Sequence, residues 1–514
     1  MPTLNDRSAG VLLHPTSLPG PYGVGDLGPQ AHDFLDFLAE AGQSWWQMLP
    51  VVPPGAGNSP YNSLSAFAGS AILVSLDRLA EEGLLSPKAL KSAVRSKPGS
   101  VDFAAAERFK HDRLLEAFQA FEASADAGAQ GALARFCADN EDWLGDYALF
   151  RALRHERGNA GWWEWDRPAR LRQPEALEEA RRRLERRVRF ERFVQWRFDL
   201  DWKRLAAAGR ARGIGLIGDI PIFVSLDSAE VWAHPELFWL DEEGRALKVA
   251  GVPPDYFAKD GQLWGNPLYR WDAMRQRGYR WWLARLKAAF DRFDAARLDH
   301  FIGFHNYWEI PGGAKTAREG RWVPGPGAEF FDQVFAALGR VQLIAEDLGV
   351  VTEGVKNLRD GFQLPGMKVL QFAFGADPEA RNYQPHRYPR RCVAYTGTHD
   401  NDTTAGWWRD RGGSSTTRSP EQIKRERSFA ALYLGSDGAE IHWDMIRAAL
   451  ASVADIAIVP AQDLLGLGSE ARMNRPGTCE GNWGWRLSRP LGAAVARRLG
   501  ALTDAYERAA RRPG

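Results

Sequence analysis

Cysteine is scarce in this chain of 514 residues, which carries Cys137, Cys392 and Cys479. The three are far apart and form no C-x-x-C pair, so their pattern suits neither a disulfide framework nor a zinc site. This cysteine usage fits a reducing compartment.

Long apolar runs are missing as well. No stretch approaches the roughly 20 apolar residues that a helix needs to cross a bilayer, and residues 1–7 show no basic-then-apolar leader. We therefore expect a cytoplasmic protein that makes no membrane contact.

An excess of one charge sign is also absent. Lysine and arginine together number 66, aspartate and glutamate together 65, and the net charge is +1. A polyanion partner requires a basic surplus, so we expect no nucleic acid partner.

Tryptophan, by contrast, is abundant, with 21 residues in the chain. Many of them stand beside Gly, Pro or Asn instead of lying in helical stripes. Core packing accounts for most, but indole rings on loops also stack on the apolar C–H faces of sugar rings. The surplus is a weak indication of carbohydrate binding.

Short apolar runs recur along the chain with room for a helix between most of them. We count eight candidate strands. This alternation favours a (β/α)8 TIM barrel with large, mainly helical insertions over a doubly wound sheet. The eight runs are residues 11–14, 44–50, 214–222, 295–301, 341–345, 367–372, 392–395 and 457–460.

The intervals between the runs predict the domain organisation. We expect residues 1–514 to form a single catalytic barrel, because no repeat or low-complexity linker divides it. Residues 53–212 should be a mainly helical insertion after the second strand. Residues 225–293 should be another insertion, containing an irregular substrate loop at 251–267.

An arginine and an aspartate lie near the end of the fourth run. Arg297 and Asp299 are two positions apart, so on a strand they share one face. A guanidinium there keeps the neighbouring carboxylate ionised, which is the state that a nucleophile needs. A structural ion pair is the alternative interpretation.

Other carboxylates in the chain favour a catalytic role for Asp299 over a structural ion pair. Asp299, Glu346 and Asp400 each end a candidate strand, and Asp219 lies at the end of another, just before Pro221. Barrel closure would bring such groups to one rim. Retaining glycoside hydrolysis or transfer uses a carboxylate nucleophile and a carboxylic acid about 5–5.5 Å apart, and a third acid can bind sugar hydroxyls.

Other chemistries have weaker sequence support. His300, His305 and His399 do not form an H-x-x-x-H or comparable metal-ligand spacing. The chain has no G-x-S-x-G nucleophile motif and no P-loop. One ambiguity remains, since Asp347 is adjacent to Glu346 and adjacent strand residues point to opposite faces.

Seven motifs in order carry a family resemblance. They are Ser59-Pro60-Tyr61, Gly218-Asp219-Ile220-Pro221, Pro254-Asp255-Tyr256-Phe257, residues 261–267 (Gly-Gln-Leu-Trp-Gly-Asn-Pro), Arg297-Leu298-Asp299-His300-Phe301, Ala345-Glu346-Asp347-Leu348-Gly349 and residues 395–401 (Tyr-Thr-Gly-Thr-His-Asp-Asn). Together they resemble the amylomaltase family, the 4-α-glucanotransferases or disproportionating enzymes, which are related to the α-amylases. The resemblance runs from about residue 10 to residue 486.

The resemblance implies specific catalytic roles. Asp299 would be the nucleophile, Glu346 the general acid/base in preference to Asp347, and Asp400 the transition-state stabiliser. The family needs no metal and no organic cofactor. The implied partners are an α-1,4-glucan donor and a glucose or glucan acceptor. An α-amylase-like hydrolase and a non-catalytic glucan-binding protein are the rival functions.

The resemblance also implies a set of substrate-binding residues. Arg297 would hold Asp299 ionised, hydroxyls of the reacting sugar would be bound by acidic and histidine side chains, and aromatic residues would line the glucan groove. The full set is Tyr61, Asp219, Tyr256, Phe257, Trp264, Arg297, His300, His399 and Asn474.

One departure from the family pattern stands out. Many relatives read Phe-Ala-Phe-Asp where this chain has Phe372-Ala373-Phe374-Gly375, and the next acid here is Asp377. This difference concerns the preferred substrate length and leaves the expected reaction class unchanged.

Overall fold

The computed structural model describes residues 1–91, 94, 97–124, 126–254, 259–412, 418–478 and 480–510. Twelve β-strands occur in this part of the chain. In chain order they are β1 Ser8–Leu12, β2 Trp45–Gln47, β3 Gly215–Pro221, β4 Lys248–Val252, β5 Gln262–Pro267, β6 Ala295–Asp299, β7 Asn306–Pro311, β8 Arg321–Pro324, β9 Leu343–Ala345, β10 Gly366–Val369, β11 Cys392–Tyr395 and β12 Ile456–Pro460.

Eight of the strands form a parallel sheet in the order β10-β11-β12-β1-β2-β3-β6-β9. The sheet curls round on itself, and the Ala345 N–H at the end of β9 donates to the carbonyl of Pro365, just before β10, at 2.9 Å. Side chains are buried on both faces of these strands, which is why their sequences are continuous apolar runs. The predicted (β/α)8 barrel is confirmed, and each of the eight predicted runs overlaps one barrel strand.

The α-helices are α1 Pro29–Glu40, α2 Leu76–Glu81, α3 Phe103–Ala123, α4 Ala127–Asp139, α5 Glu141–Glu156, α6 Arg167–Arg170, α7 Pro174–Arg183, α8 Glu185–Ala211, α9 Ala229–Ala233, α10 Trp271–Gln276, α11 Arg280–Phe290, α12 Ile302–His305, α13 Gly327–Leu338, α14 Glu353–Gly361, α15 Thr404–Arg409, α16 Pro420–Leu434, α17 Ile441–Ala451, α18 Ala461–Leu464 and α19 Ala493–Ala505. Among the described residues, none of these helices combines the length and the apolarity required to span a bilayer.

The described part of the chain between β2 and β3 contains the seven helices α2 to α8 and no further strand of either sheet. Sequence signals set its boundaries: the Asp102 side chain accepts the Ala105 N–H and caps the start of α3 at 3.0 Å. The 27-residue helix α8 buries aromatic side chains on more than one side, among them Phe193, Phe198 and Trp202. These side chains belong to the hydrophobic core that also contains barrel-strand residues, and this shared core ties the helical segment to the barrel.

A second sheet lies outside the barrel. Its four strands run antiparallel in the order β5-β4-β7-β8. The segment 251–267, which we expected to be irregular, therefore begins and ends in paired strands. β4 pairs with β5 and also with β7, which comes from beyond β6 in the chain. Pairing between β4 and a segment so distant in the chain leaves no local signal, and β5 has no alternation of apolar and polar residues that would identify it as a strand. Residues 255–258 lie outside the described part of the chain.

The C-terminal segment meets the start of β1, at the amino-terminal end of the barrel strands, through Arg508. This side chain is fully buried. Its guanidinium donates hydrogen bonds to main-chain carbonyls at 2.6 to 3.1 Å. The five acceptors belong to Ser8, Leu450, Ser452, Ala454 and Asp455. One side chain thus joins the C-terminal segment to the start of β1 and to the loop before β12.

Candidate active site

The centre of the site is Arg297, on β6, with 4% of its surface exposed. In the β3–β6 pairing Asp219 lies opposite Arg297. Nη1 of Arg297 donates to both carboxylate oxygens of Asp219 at 2.8 Å and lies 2.9 Å from Oδ1 of Asp299. The predicted same-face placement of Arg297 and Asp299 therefore produces direct contact.

Glu346 reaches the same guanidinium from the end of β9. Its Oε2 lies 3.9 Å from Nη2 of Arg297 and accepts the backbone N–H of His300 at 2.7 Å. Its Oε1 accepts the N–H of Leu348 at 3.1 Å. Asp299 and Glu346 therefore meet at one buried cation, and main-chain donors fix the orientation of Glu346.

Asp347 faces the opposite way. Its Oδ1 accepts the Met367 N–H at 2.7 Å, and its Oδ2 pairs with Arg359 on α14. The alternation along the strand end thus gives Glu346 and not Asp347 access to Arg297.

Burial sets the pKa of Glu346. Burial raises the pKa of the Glu346 carboxyl to about 8, and the negative charge of Asp299 contributes to this rise. Arg297 and the two backbone amide donors act in the opposite direction and do not outweigh it. Glu346 is therefore mostly protonated at neutral pH. That is the state of a general acid.

Asp219 and Arg297 form a buried ion pair. Burial and the charge of Asp299 raise the pKa of Asp219 to about 6, and Arg297 opposes this rise. Burial by itself would lower the pKa of Arg297, but Asp219 and Asp299 outweigh it and the pKa lies well above the usual value. Arg297 is thus a permanent cation among the carboxylates. Within the described ranges, no three His, Cys, Asp or Glu side chains are grouped as ligands for one metal ion.

His300 follows β6 in a left-handed backbone conformation, with φ of 52°. This conformation is uncommon outside glycine, and here it accompanies the hydrogen bond from the His300 N–H to Glu346. The ring packs edge-on to Trp264 with centroids 4.8 Å apart. Burial lowers the pKa of His300 to about 4, so its imidazole is neutral at pH 7, and Nε2 has no hydrogen-bond partner among the described residues.

Asp400 lies in the turn after β11. Its Oδ1 accepts Nδ2 of Asn474 at 2.7 Å and lies 3.4 Å from Nε2 of His399. Its main-chain carbonyl accepts a hydrogen bond from Arg472 at 2.6 Å, and Arg472 also donates to the carbonyl of Asn474. The segment before α19 therefore holds Asp400 in position.

Tyr61 connects Asp400 to Asp219 across the barrel mouth. Its hydroxyl donates to Oδ2 of Asp219 at 2.8 Å. Its ring stacks on His399 at 5.0 Å and lies 5.6 Å from Trp483. The loop after β2 thus supplies an aromatic wall that also orients the charged centre.

The predicted residues that the structure describes form one connected network. It runs from Asn474 and Asp400 through His399, Tyr61 and Asp219 to Arg297, and on to Asp299, Glu346, His300 and Trp264. Tyr256 and Phe257 lie outside the described residues.

Sequence reasoning missed Arg472 and Trp483. Trp483 packs on both Tyr61 and His399, but it stands in a segment rich in Gly and Asn that carries no strand or helix pattern. Arg472 acts through main-chain carbonyls, for which a sequence has no signal. The one indication in the sequence is that Arg472 stands two residues before Asn474, a predicted substrate-binding residue.

This fold and this site define a class. A parallel (β/α)8 barrel with carboxylates, a buried arginine and aromatic walls at the carboxyl ends of its strands is the architecture of a carbohydrate-active barrel enzyme. Residues 13–491 match the sequence model of the 4-alpha-glucanotransferase family. The chain belongs to this family and is an enzyme with 4-alpha-glucanotransferase activity.

Individual members of the family are similar to this chain over nearly its whole length. The chain is 49% identical to the 4-alpha-glucanotransferase of Thermus thermophilus, over 98% of this chain and 99% of that one. It is 46% identical to the Synechocystis 4-alpha-glucanotransferase over the same shares of the two chains. Its structure matches the amylomaltase from Streptococcus agalactiae in complex with acarbose, with a TM-score of 0.93, 37% identity and coverage of 98% of this chain and 100% of that one.

Proposed function

We propose that this enzyme moves α-1,4-glucan segments between maltooligosaccharides or glucans by a retaining double displacement. Asp299 is the nucleophile, Glu346 the general acid/base and Asp400 the transition-state stabiliser. The donor is an α-1,4-glucan and the acceptor is glucose or another glucan. The reaction draws only on side chains of this protein.

In the first step, Glu346 protonates the glycosidic oxygen as Asp299 attacks the anomeric carbon. The C–O bond to the leaving sugar breaks, and a β-linked glycosyl ester forms on Asp299. Arg297 keeps the attacking carboxylate ionised, and Asp400 stabilises the positive charge that develops on the ring.

In the second step, the 4-hydroxyl of an acceptor glucan gives its proton to Glu346, and its oxygen attacks the anomeric carbon of the glycosyl ester from the face opposite Asp299. The carboxylate of Asp299 leaves, and the α-1,4 bond reforms with net retention. Transfer outcompetes hydrolysis when the acceptor site excludes water and stacks a glucose ring.

The observation that carries this proposal is the pairing of Asp299 and Glu346 on one buried guanidinium. A pKa of about 8 keeps Glu346 protonated for the first step. The two side chains thus differ in environment in the way that a nucleophile and an acid require.

The remaining network residues have binding roles in this proposal. Asp219, His300 and His399 bind hydroxyls of the reacting sugar. The groove is lined by Tyr61 and Trp264, with Asn474 beside it, and we also assign Tyr256 and Phe257 to the groove from their sequence motif. The barrel acts as one catalytic unit in a cytoplasmic protein, with residues 53–212 and 225–293 as insertions.

Incubation with maltotriose tests the reaction. We expect a ladder of shorter and longer products while the number of reducing ends stays constant. A steady rise in reducing ends would instead identify a hydrolase, and unchanged maltotriose would identify a glucan-binding protein.

A second measurement tests the covalent step. A fluorinated maltosyl fluoride, which slows the second step more than the first, should add one glycosyl group to the chain by intact mass. Peptide mapping should locate the group on Asp299. Labelling of any other residue would refute the assignment of the nucleophile.

A further inference from the structure

A cleft of about 540 Å³ lies on the outside of the barrel, between α5, α9 and α11. Its lining comes mainly from Asn140 to Asp146, from Ala229 to His234 and from Arg280 to Asp291. None of the residues that form the active-site network contributes to it. The cleft is therefore a separate feature of the surface.

Aromatic rings form one wall of the cleft. Phe67 lies between two indoles: its ring stacks on Trp143 with centroids 6.2 Å apart and meets Trp281 edge-on at 6.0 Å. The Trp143 ring is half-buried, and its Nε1 donates to Oδ1 of Asn140 at 3.1 Å. A held, partly open indole is a suitable platform for the apolar face of a sugar ring.

Two residues that line the cleft carry buried hydrogen-bonding atoms without a partner among the described residues. Glu230 is 5% exposed, and its Oε1 accepts the Ser65 hydroxyl at 2.6 Å, whereas its Oε2 has no hydrogen-bond partner in the described part of the chain. The Trp281 Nε1–H is likewise buried and without a partner there. Buried polar atoms usually have partners, so a free acceptor and a free donor in one cleft point to a ligand that both donates and accepts.

The charges of the cleft argue against an anionic ligand. Five acidic and three basic side chains line it. Two of the acids already have cationic partners, Asp146 with Arg172 at 2.8 Å and Asp291 with Lys287 at 2.7 Å. An uncharged molecule rich in hydroxyls meets these requirements better than a phosphate or a carboxylate does.

We propose that this cleft is a second, non-catalytic binding site for an α-1,4-glucan segment. The choice of ligand rests on the glucan specificity proposed above. A long glucan held here remains tethered to the enzyme, which raises its effective concentration at the barrel mouth. Aromatic stacking on Trp143 and hydroxyl contacts to Glu230 and Trp281 supply the recognition.

Calorimetric titration with maltoheptaose tests the proposal in an Asp299→Asn background, where turnover is blocked. The decisive quantity is the number of binding sites per chain with and without Trp143→Ala. We expect Trp143→Ala to remove one site, or to weaken it by about tenfold or more. Ala288→Arg, which fills the cleft from α11 and keeps Trp143, should remove the same site.

Trp322→Ala is the matched control, since Trp322 is 45% exposed on β8 and lies outside the cleft. It should not change the number of cleft sites, and thermal unfolding should show that all variants are folded. An equal number of sites and equal affinity in the parent and in both cleft variants would overturn the proposal. The maltotriose ladder of the unmodified enzyme is measured separately, so failure of the cleft proposal and failure of the proposed reaction are distinguishable.

Discussion

Two neighbouring acids, Glu346 and Asp347, differ in almost every contact. Glu346 meets Arg297 and two backbone amides at the barrel mouth, whereas Asp347 pairs with Arg359 and the Met367 N–H. The alternation along the end of one strand thus separates the proposed catalytic residue from a residue with structural contacts. The pair therefore offers a matched experiment within one dipeptide.

We expect Glu346→Gln to lower the rate of maltotriose transfer by about 10² to 10⁴-fold, because general acid/base catalysis is lost. Asp347→Asn should keep most of its rate per folded molecule and lose stability, because it breaks the ion pair with Arg359. Steady-state kinetics with thermal unfolding measure both effects. An inactive Asp347→Asn beside an active Glu346→Gln would reverse the assignment.

The rate should also depend on pH through Glu346. The first step needs the protonated carboxyl, whose pKa is about 8, so the transfer rate should fall as pH rises through this value. A pH–rate profile with maltotriose shows this as a basic limb. A profile that stays flat up to pH 10 would contradict the raised pKa.

The free energy of unfolding should also depend on the protonation of Glu346. The pKa of Glu346 is about 8 when folded against an ordinary 4.5, so between these values the unfolded chain binds fewer protons and folding weakens as pH rises. Glu346→Gln removes this cost. We expect its stability advantage over the parent to grow between pH 5 and pH 8 by roughly 2–4 kcal/mol, measured by urea denaturation. Parallel stability curves would refute the prediction.

The acidic residues at strand ends could be predicted from the sequence, because a parallel barrel brings the carboxyl ends of its strands to one face. The contacts between them could not. That Asp219 lies opposite Arg297 depends on register between strands about 80 residues apart in the chain. The left-handed turn at His300 likewise follows from the tertiary surroundings and not from a local glycine.

At the scale of elements, the hairpin of β4 and β5 places Trp264 beside His300. Trp264, on β5, is 38% exposed and lies against His300. Part of the indole therefore remains open next to His300, which follows Asp299 in the chain. The antiparallel sheet that carries Trp264 also contains β7 and β8.

We expect Trp264→Ala to raise hydrolysis relative to transfer by several-fold, or to lower both rates, because the acceptor loses a stacking surface that excludes water. The measurement compares reducing ends with total product from maltotriose. Trp264→Phe, which keeps an aromatic face, should lie between the parent and the alanine variant. Unchanged transfer in Trp264→Ala would remove the hairpin from the mechanism.

The barrel strands could be predicted from the sequence, whereas the strands of the antiparallel sheet could not. The barrel strands could be predicted because burial on both faces makes them unbroken apolar runs. Strands β4, β5, β7 and β8 mix exposed, charged and glycine residues, so their identity depends on the partners that they find in the folded chain.

At the scale of the whole molecule, Arg508 joins the end of the chain to the bottom of the barrel. We expect Arg508→Ala to lower the free energy of unfolding by about 3–5 kcal/mol, because five buried carbonyls lose a donor. Urea denaturation measures the loss. Arg498→Ala is the control: its ion pair with Glu440 is partly exposed, so its effect should be about 1 kcal/mol or less. Equal effects of the two variants would contradict the role of Arg508.

The sharing of Arg297 between Asp299 and Glu346 has a consequence for the order of events in catalysis. When Asp299 becomes an ester in the proposed mechanism, its negative charge disappears, and with it one of the influences that raise the pKa of Glu346. The positive charge of Arg297 then acts on Glu346 without competition from Asp299. In the proposed mechanism, formation of the ester on Asp299 thus lowers the pKa of Glu346, so that Glu346 can remain ionised and accept the proton of the second sugar.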